Sequence, residues 1–242
     1  MRTFTMDDIP VLYEDKHIIV VNKPQNIPCQ EDASGDKDML TIIKEYIKEK
    51  DNKPGNVFLG LVHRLDRVTG GVMVFAKNSK SAARLSEAIR DGDMIKKYLT
   101  VILGKLNETQ GVMVNYLKKH SVTNIVYVAT EATIGAKRAE LKYRVLENLQ
   151  DIISLVEIEL VTGRSHQIRV QMEARGNPIF GDAKYGGDRL SKGHNLALWA
   201  VNLEFIHPIT NERMMFVSYP PEDKEPWSKF ELKKYLDYYN RN

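Results

Sequence analysis

The sequence predicts an α+β fold on a mainly antiparallel sheet. Three observations point there. Short β-branched runs recur along the whole chain, helical periodicity is confined to a few segments, and no regular alternation of strand and helix appears. At 242 residues the chain is long enough to bury a sizeable core. Hydrophobic residues make up 43% and charged residues 28%, the balance of an ordinary globular protein. The formal net charge is only +3, so any affinity for nucleic acid has to come from local clusters.

The elements follow in order. Residues 11–13 and 17–21 are short apolar runs separated by "EDK", the pattern of a hairpin. "NKPQNIPCQEDASGD", with Pro24, Pro28, Ser34 and Gly35, predicts an irregular surface loop. Residues 36–50 place apolar side chains at 39, 40, 42, 43, 46 and 47, which is helical spacing. "DNKPGN" breaks the chain, and residues 72–76 form a buried strand. Residues 79–90 predict a helix with Ser79 as its cap, Leu85 and Ile89 four apart, and "DGD" as its end. Further strands are expected at 98–103, 124–129, 139–146, 153–161, 196–206 and 214–219. Helices are expected at 165–174 and from 227 to about 239. Neither a repeat nor a linker divides the chain, so residues 1–242 are expected to form one domain.

Composition and motifs exclude several functions. Cys29 is the single cysteine, which rules out an internal disulfide framework and a multi-cysteine zinc site and fits a reducing compartment. No apolar run approaches the roughly 18 residues of a membrane helix, and the N-terminus lacks a signal-peptide core. A cytoplasmic location is therefore expected. His63, His166 and Cys29 show no metal-ligand spacing, so no metal is expected. The chain also has no GxGxxG after a strand, no GxxxxGK[ST] and no GxSxG. A cofactor-free enzyme or a binding module remains.

Three stretches could carry chemistry. "LVHRLDRVTGGVMVFAKN" sets Asp66 between Arg64 and Arg67 and runs through Thr69-Gly70-Gly71 into a strand. As an isolated exposed pair this would be a minor surface feature. A charged cluster at a tight turn entering a buried strand belongs instead at a cleft, and a neighbouring cation favours the ionised carboxylate that glycosyl chemistry requires. "IKKYLTVILG" puts two lysines before Tyr98, a flat face for a base with cations for phosphates; alone it reads equally as a strand aromatic. "VTGRSHQIRVQMEARGNPIFGDAKYGG" crowds Arg164, His166, Gln167 and Arg169 around an expected helix start. Between residues 163 and 192 it carries Arg164, Arg169, Arg175, Lys184, Arg189 and Lys192 against Glu173, Asp182 and Asp188. A helix start of this kind favours an anion, and the balance predicts a basic patch.

These residues resemble a known family. "HRLDRVTGGVMVFAK" is similar to the HRLDRxTSGxxxxAK signature of the RluA-type RNA pseudouridine synthases. "TGRSHQIRVQMEARGNPIFGDAKYGG" is similar to their second long signature, and "LYEDKHIIVVNKPQNIPCQ", "KKYLTVILG" and "LEFIHPITNERMMFVSYPP" resemble their opening, tyrosine and closing segments. The resemblance covers most of the chain in the family's order. It implies conversion of uridine in RNA to pseudouridine without cofactor or metal, on an α+β domain with a mixed, largely antiparallel central sheet flanked by helices and loops. It also implies Asp66 as the catalytic aspartate and Arg64 as the side chain that takes the space of the flipped-out nucleotide. Tyr98 becomes the tyrosine that stacks on the target base and assists proton handling, and Arg169 the basic partner of the aspartate. Arg67, Lys97, Arg164 and His166 would meet the RNA, ribosomal or transfer, and the protein would act as a monomer.

Gly70 stands where the family usually has serine, Val68 where it often has an acid, and Gln171 and Trp199 where histidine is frequent. The resemblance begins almost at residue 1, so no S4-type RNA-binding domain is expected ahead of it. Two rival functions accompany this reading. One is an RNA-binding or ribosome-assembly factor without activity, and the other an N-glycosidase that adds water and frees uracil.

Overall fold

Ile18, Ile19, Val20 and Val21 are all fully buried, so this strand is covered on both faces and shows an unbroken apolar run rather than alternation. It is part of a computed structural model that describes residues 4–187 and 193–237. In chain order the strands of the first half are β1 (Val11–Glu14), β2 (Ile18–Lys23), β3 (Gly60–Leu61), β4 (Gly70–Ala76), β5 (Ile95–Leu103) and β6 (Gln110–Lys119). Those of the second half are β7 (Val126–Ala129), β8 (Lys137–Leu149), β9 (Ile153–Leu160), β10 (Leu198–Ile206) and β11 (Arg213–Val217). The helices are α1 (Met39–Lys50), α2 (Ser79–Asp91), α3 (Gln167–Glu173) and α4 (Leu232–Leu236). The fold is α+β, and every strand pair with a described register is antiparallel.

The chain forms two compact units, Met1–Ile95 with Ala200–Ser218, and Lys96–Trp199 with Tyr219–Asn242. In the first, the order is β1-β2-β4-β10, with β11 on β10 and β3 on β4. Its core joins Ile18 and Val20 to Val72 and Val74, Leu85 of α2, and Leu203 and Phe205 of β10. Asp38 caps α1 by accepting from the Thr41 amide at 3.1 Å, and Met39, Ile42, Ile43 and Ile47 are its buried stripe. The cap of α2 is Asn78 rather than Ser79: its side chain accepts from the Ser81 amide at 2.9 Å, one residue before the expected cap. Gly92, at φ 85°, ends that helix.

The second unit is an antiparallel sheet in the order β5-β9-β8-β6-β7. Met113, Ala139, Leu141 and Ile158 lie buried in it, and Val170 of α3 joins Leu117, Val126 and Ala139 in a cluster. Strands β3 and β6 were not expected from the sequence. In β6 the outward positions Val112 and Val114 are apolar and about half exposed, which erases the polar–apolar alternation that signals a strand. The C-terminal segment is a 3-10 turn at Trp227–Lys229 followed by α4, not one helix, and Tyr239 lies outside the described residues. Among the described residues no helix is long and apolar enough to cross a membrane.

Candidate active site

Asp66 opens a β-turn. Its carbonyl accepts from the Thr69 amide at 2.9 Å, and aspartate is favoured at this first turn position. The side chain is half-buried and Arg64 beside it is exposed. The turn leads into β4 through Gly71, whose φ is 118°. A Cβ there would stand 2.2 Å from the Ala200 carbonyl oxygen, so the close approach of β10 requires glycine.

What holds the turn is a residue that the sequence reading passed over. Lys23, at the end of β2, is fully buried. Its ammonium donates to the carbonyls of Pro24 (3.0 Å), Arg67 (3.0 Å) and Thr69 (2.8 Å), using all three protons. Gln25 Nε2 donates to the Val68 carbonyl at 2.8 Å, and the Asn26 amide to that of Arg67 at 2.8 Å. Cys29 Sγ meets the Leu65 carbonyl at 3.2 Å. The "NKPQNIPC" segment thus cradles the backbone of residues 65–69. Burial pushes the Lys23 ammonium down to about 8, with Cys29 and Asp66 opposing that fall electrostatically. A lysine that ends a buried β-branched run and precedes proline was the available signal; the rule that lysines are exposed concealed it.

Arg67 turns its guanidinium toward the preceding loop. It pairs with Asp36, donates to Ser34 Oγ at 2.8 Å and reaches Asp32 at 3.5 Å. His63 Nε2 accepts from the Val74 amide at 3.1 Å, a structural bond.

In the second unit Tyr98 is buried in β5, paired in register with Ile158. Lys97 is paired with Glu159 and lies on the face opposite Tyr98, since strand side chains alternate. Arg169, on α3, makes a buried bidentate pair with Asp182: Nε to Oδ2 at 2.8 Å and Nη2 to Oδ1 at 2.7 Å. Its guanidinium carbon also stands 5.0 Å from the centre of the Tyr185 ring. The Tyr185 hydroxyl accepts from the Val126 amide at 2.9 Å and bonds His166 Nδ1 at 2.7 Å. Asp182 Oδ1 in turn accepts from the amides of Lys184 and Tyr185. The two halves of the long signature, "RSHQIR" and "GDAKYGG", are therefore one hydrogen-bonded unit.

Two expectations need correction here. The helix after "TGR" starts at Gln167, not near Ser165, because His166 takes a left-handed conformation (φ 52°) and offers no side-chain cap. Gln167 Oε1 accepts from the Arg164 amide (3.0 Å) and the Thr162 hydroxyl (2.8 Å), which ties the "TGR" segment to the helix start. Among the described residues the cations of this stretch are not all open to a partner. Arg169 is buried on Asp182, Arg164 Nε donates to the Arg138 carbonyl (2.8 Å), and Lys184 to that of Asn124 (2.9 Å). Asp188, Arg189 and Lys192 lie outside the described residues. Gln171 replaces the family's histidine usefully: its Nε2 donates to Asn115 Oδ1 at 2.9 Å and the Met113 carbonyl at 3.2 Å, tying α3 to β6. Among the described residues no group of three His, Cys, Asp or Glu side chains is placed to hold a metal ion.

Comparison with known proteins identifies the family. The family model described as RNA pseudouridylate synthase matches residues 17–174, which include the Lys23 cradle, the Asp66 turn, Tyr98 and α3. An uncharacterized RNA pseudouridine synthase of Bacillus subtilis, YjbO, is 34% identical over 227 residues, covering 92% of this chain and 77% of its own. Ribosomal large subunit pseudouridine synthase D of Vibrio cholerae is 34% identical over 233 residues, covering 89% and 69%. Among solved structures, human RNA pseudouridylate synthase domain containing 4 superposes with a TM-score of 0.75 at 24% identity, over 94% of this chain and 93% of the other, a likeness of fold. With the match spanning both the aspartate turn and the α3 signature, the chain belongs to the RNA pseudouridylate synthase family and is an isomerase.

Proposed function

We propose that the protein converts one or more uridines of ribosomal or transfer RNA to pseudouridine, with Asp66 as the catalytic carboxylate. The observation that carries this reading is the Asp66 turn itself: a single half-buried carboxylate on a backbone fixed by the buried Lys23, inside the stretch matched by the family. The name of the Vibrio relative favours ribosomal RNA. In the reaction the C1′–N1 bond breaks, the uracil rotates, and a C1′–C5 bond forms. C5 loses its hydrogen as a proton and N1 gains one, so no water is consumed. One carboxylate suffices, in contrast to the two that a glycosidase uses.

The target uridine has to leave its helix, at a cost of a few kcal/mol. In this reading Arg64 takes the vacated space, Tyr98 stacks on the base and assists proton handling, and Arg169 is the basic partner of the aspartate. Arg164 and His166 join the RNA-facing residues. Arg67 contributes by fixing the 32–36 loop to the aspartate turn as well as by its charge. Lys97, opposite Glu159, lies on the face away from Tyr98 and is given no RNA contact in this reading. In this reading residues 1–242 act together in catalysis, as a monomer in the cytoplasm and without a cofactor.

The test is tritium release from RNA carrying 5-³H-uridine and taken from cells lacking the gene. Wild-type protein is expected to release tritium, and Asp66→Ala to release none while retaining RNA affinity. RNA binding without release by the wild type would favour the assembly factor, and free uracil the N-glycosidase. Full turnover by Asp66→Ala would remove Asp66 from the mechanism.

A further inference from the structure

Lys96 and Tyr98 project from the same face of β5, two residues and about 6.6 Å apart, a spacing on the scale of one nucleotide. Lys97 between them projects from the other face, opposite Glu159. Unlike Arg164, Arg169 and Lys184, the Lys96 ammonium has no hydrogen bond or ion pair among the described residues. Arg169 has Asp182, Arg164 has the Arg138 carbonyl and Lys184 the Asn124 carbonyl. Lys96 is nevertheless half-buried, and burial lowers its ammonium below the usual lysine range with no counter-charge opposing the fall. Its Nζ borders the exposed Gly163 of the "TGR" segment. A Cβ built on that glycine would meet nothing but this atom, at 4.0 Å, so the space beside the ammonium is open.

A partly desolvated cation without a partner is unfavourable unless a ligand supplies the counter-charge. The neighbouring groups make that ligand an anion next to an aromatic ring that takes a base. We propose that Lys96 holds an RNA backbone phosphate adjacent to the nucleotide stacked on Tyr98, and that it, rather than Lys97, is the substrate-binding lysine of "IKKYL". The inference rests on the RNA-modifying function proposed above. Gly163 is glycine in this arrangement because a side chain there would stand where the phosphate approaches Lys96.

The experiment is the salt dependence of binding to a fluorescent large-subunit ribosomal RNA transcript, for wild type, Lys96→Met, Lys96→Arg and Lys97→Met. Thermal melting of each variant confirms folding, and Lys96→Gln substitutes if the methionine variant melts early. Lys96→Met is expected to lower the slope of log K against log salt by about 0.7, the value for one phosphate contact on a single strand. Lys96→Arg should restore the slope and Lys97→Met should leave it unchanged. A wild-type slope in Lys96→Met, failure of arginine to restore it, or a loss in Lys97→Met instead would overturn the assignment. Tritium release by the wild type, measured in parallel, judges the synthase function separately: its absence would sink that function, while the slopes still decide the role of Lys96.

Discussion

Two buried cations hold the two sequence signatures, and they do so differently. Lys23 fixes the Asp66 turn by donating to three neutral carbonyls. Arg169 fixes the α3 signature by a bidentate bond to a carboxylate, Asp182, itself anchored by two backbone amides. The hydrogen-bond acceptors of Lys23 are neutral, and burial depresses its proton affinity despite the opposing pull of Cys29 and Asp66. A charged partner compensates Arg169 directly, and arginine stays protonated regardless. The first clamp is therefore sensitive to pH and the second to loss of its partner.

The largest expected effect is at the second clamp. Asp182→Ala takes the bidentate acceptor from a buried guanidinium and the acceptor from two amides, a loss of about 3–5 kcal/mol in denaturant unfolding. The double variant Arg169→Met with Asp182→Leu should recover most of that stability, though not the activity. A cost below about 1 kcal/mol for Asp182→Ala would show that the pair is not what holds α3.

Lys23→Met is expected to cost less stability, about 1–2 kcal/mol, since removing the buried charge offsets part of the lost hydrogen bonding. Turnover should fall at least tenfold with RNA affinity nearly unchanged, because the variant loosens the backbone that aims Asp66. Unchanged single-turnover rates would break the link between Lys23 and the turn.

pH sharpens the same contrast. The folded value of Lys23, about 8, lies below the ordinary lysine value of 10.5 that applies in the unfolded chain. Between those values the unfolded chain holds more protons, so this lysine's contribution to stability rises with pH from about 8 to 10.5. Relative to Lys23→Met, the wild type should gain stability on the order of 3 kcal/mol across that window. Parallel curves for the two proteins would contradict the depressed value. The smallest effect is expected on the exposed sheet face, where Arg144→Ala removes the 3.1 Å pair with Glu157 and should shift stability by less than about 1 kcal/mol.

Particular residues show why some of this was legible in the sequence. Strands β2 and β4 and helices α1 and α2 follow from periodicity, because their apolar positions match their burial, whereas Val11 and Leu12 of β1 are exposed. Strand β6 escaped because Val112 and Val114 face outward. The start of α3 escaped because a left-handed histidine carries no sequence mark. Asp66, Tyr98 and Arg169 stood out through their motifs. Lys23 and Asp182 did not, because a charge is normally solvated and only tertiary burial turns it into a clamp. Asp182 looked like an acid diluting a basic patch, whereas it neutralises the central arginine of that stretch.

The most direct measurement of the central claim is a pseudouridine map of cellular RNA from cells with the gene, without it, and without it but carrying Asp66→Asn. The account predicts at least one uridine that is modified only with the wild-type gene and stays uridine with Asp66→Asn. Maps that do not differ, or full restoration by Asp66→Asn, would contradict it.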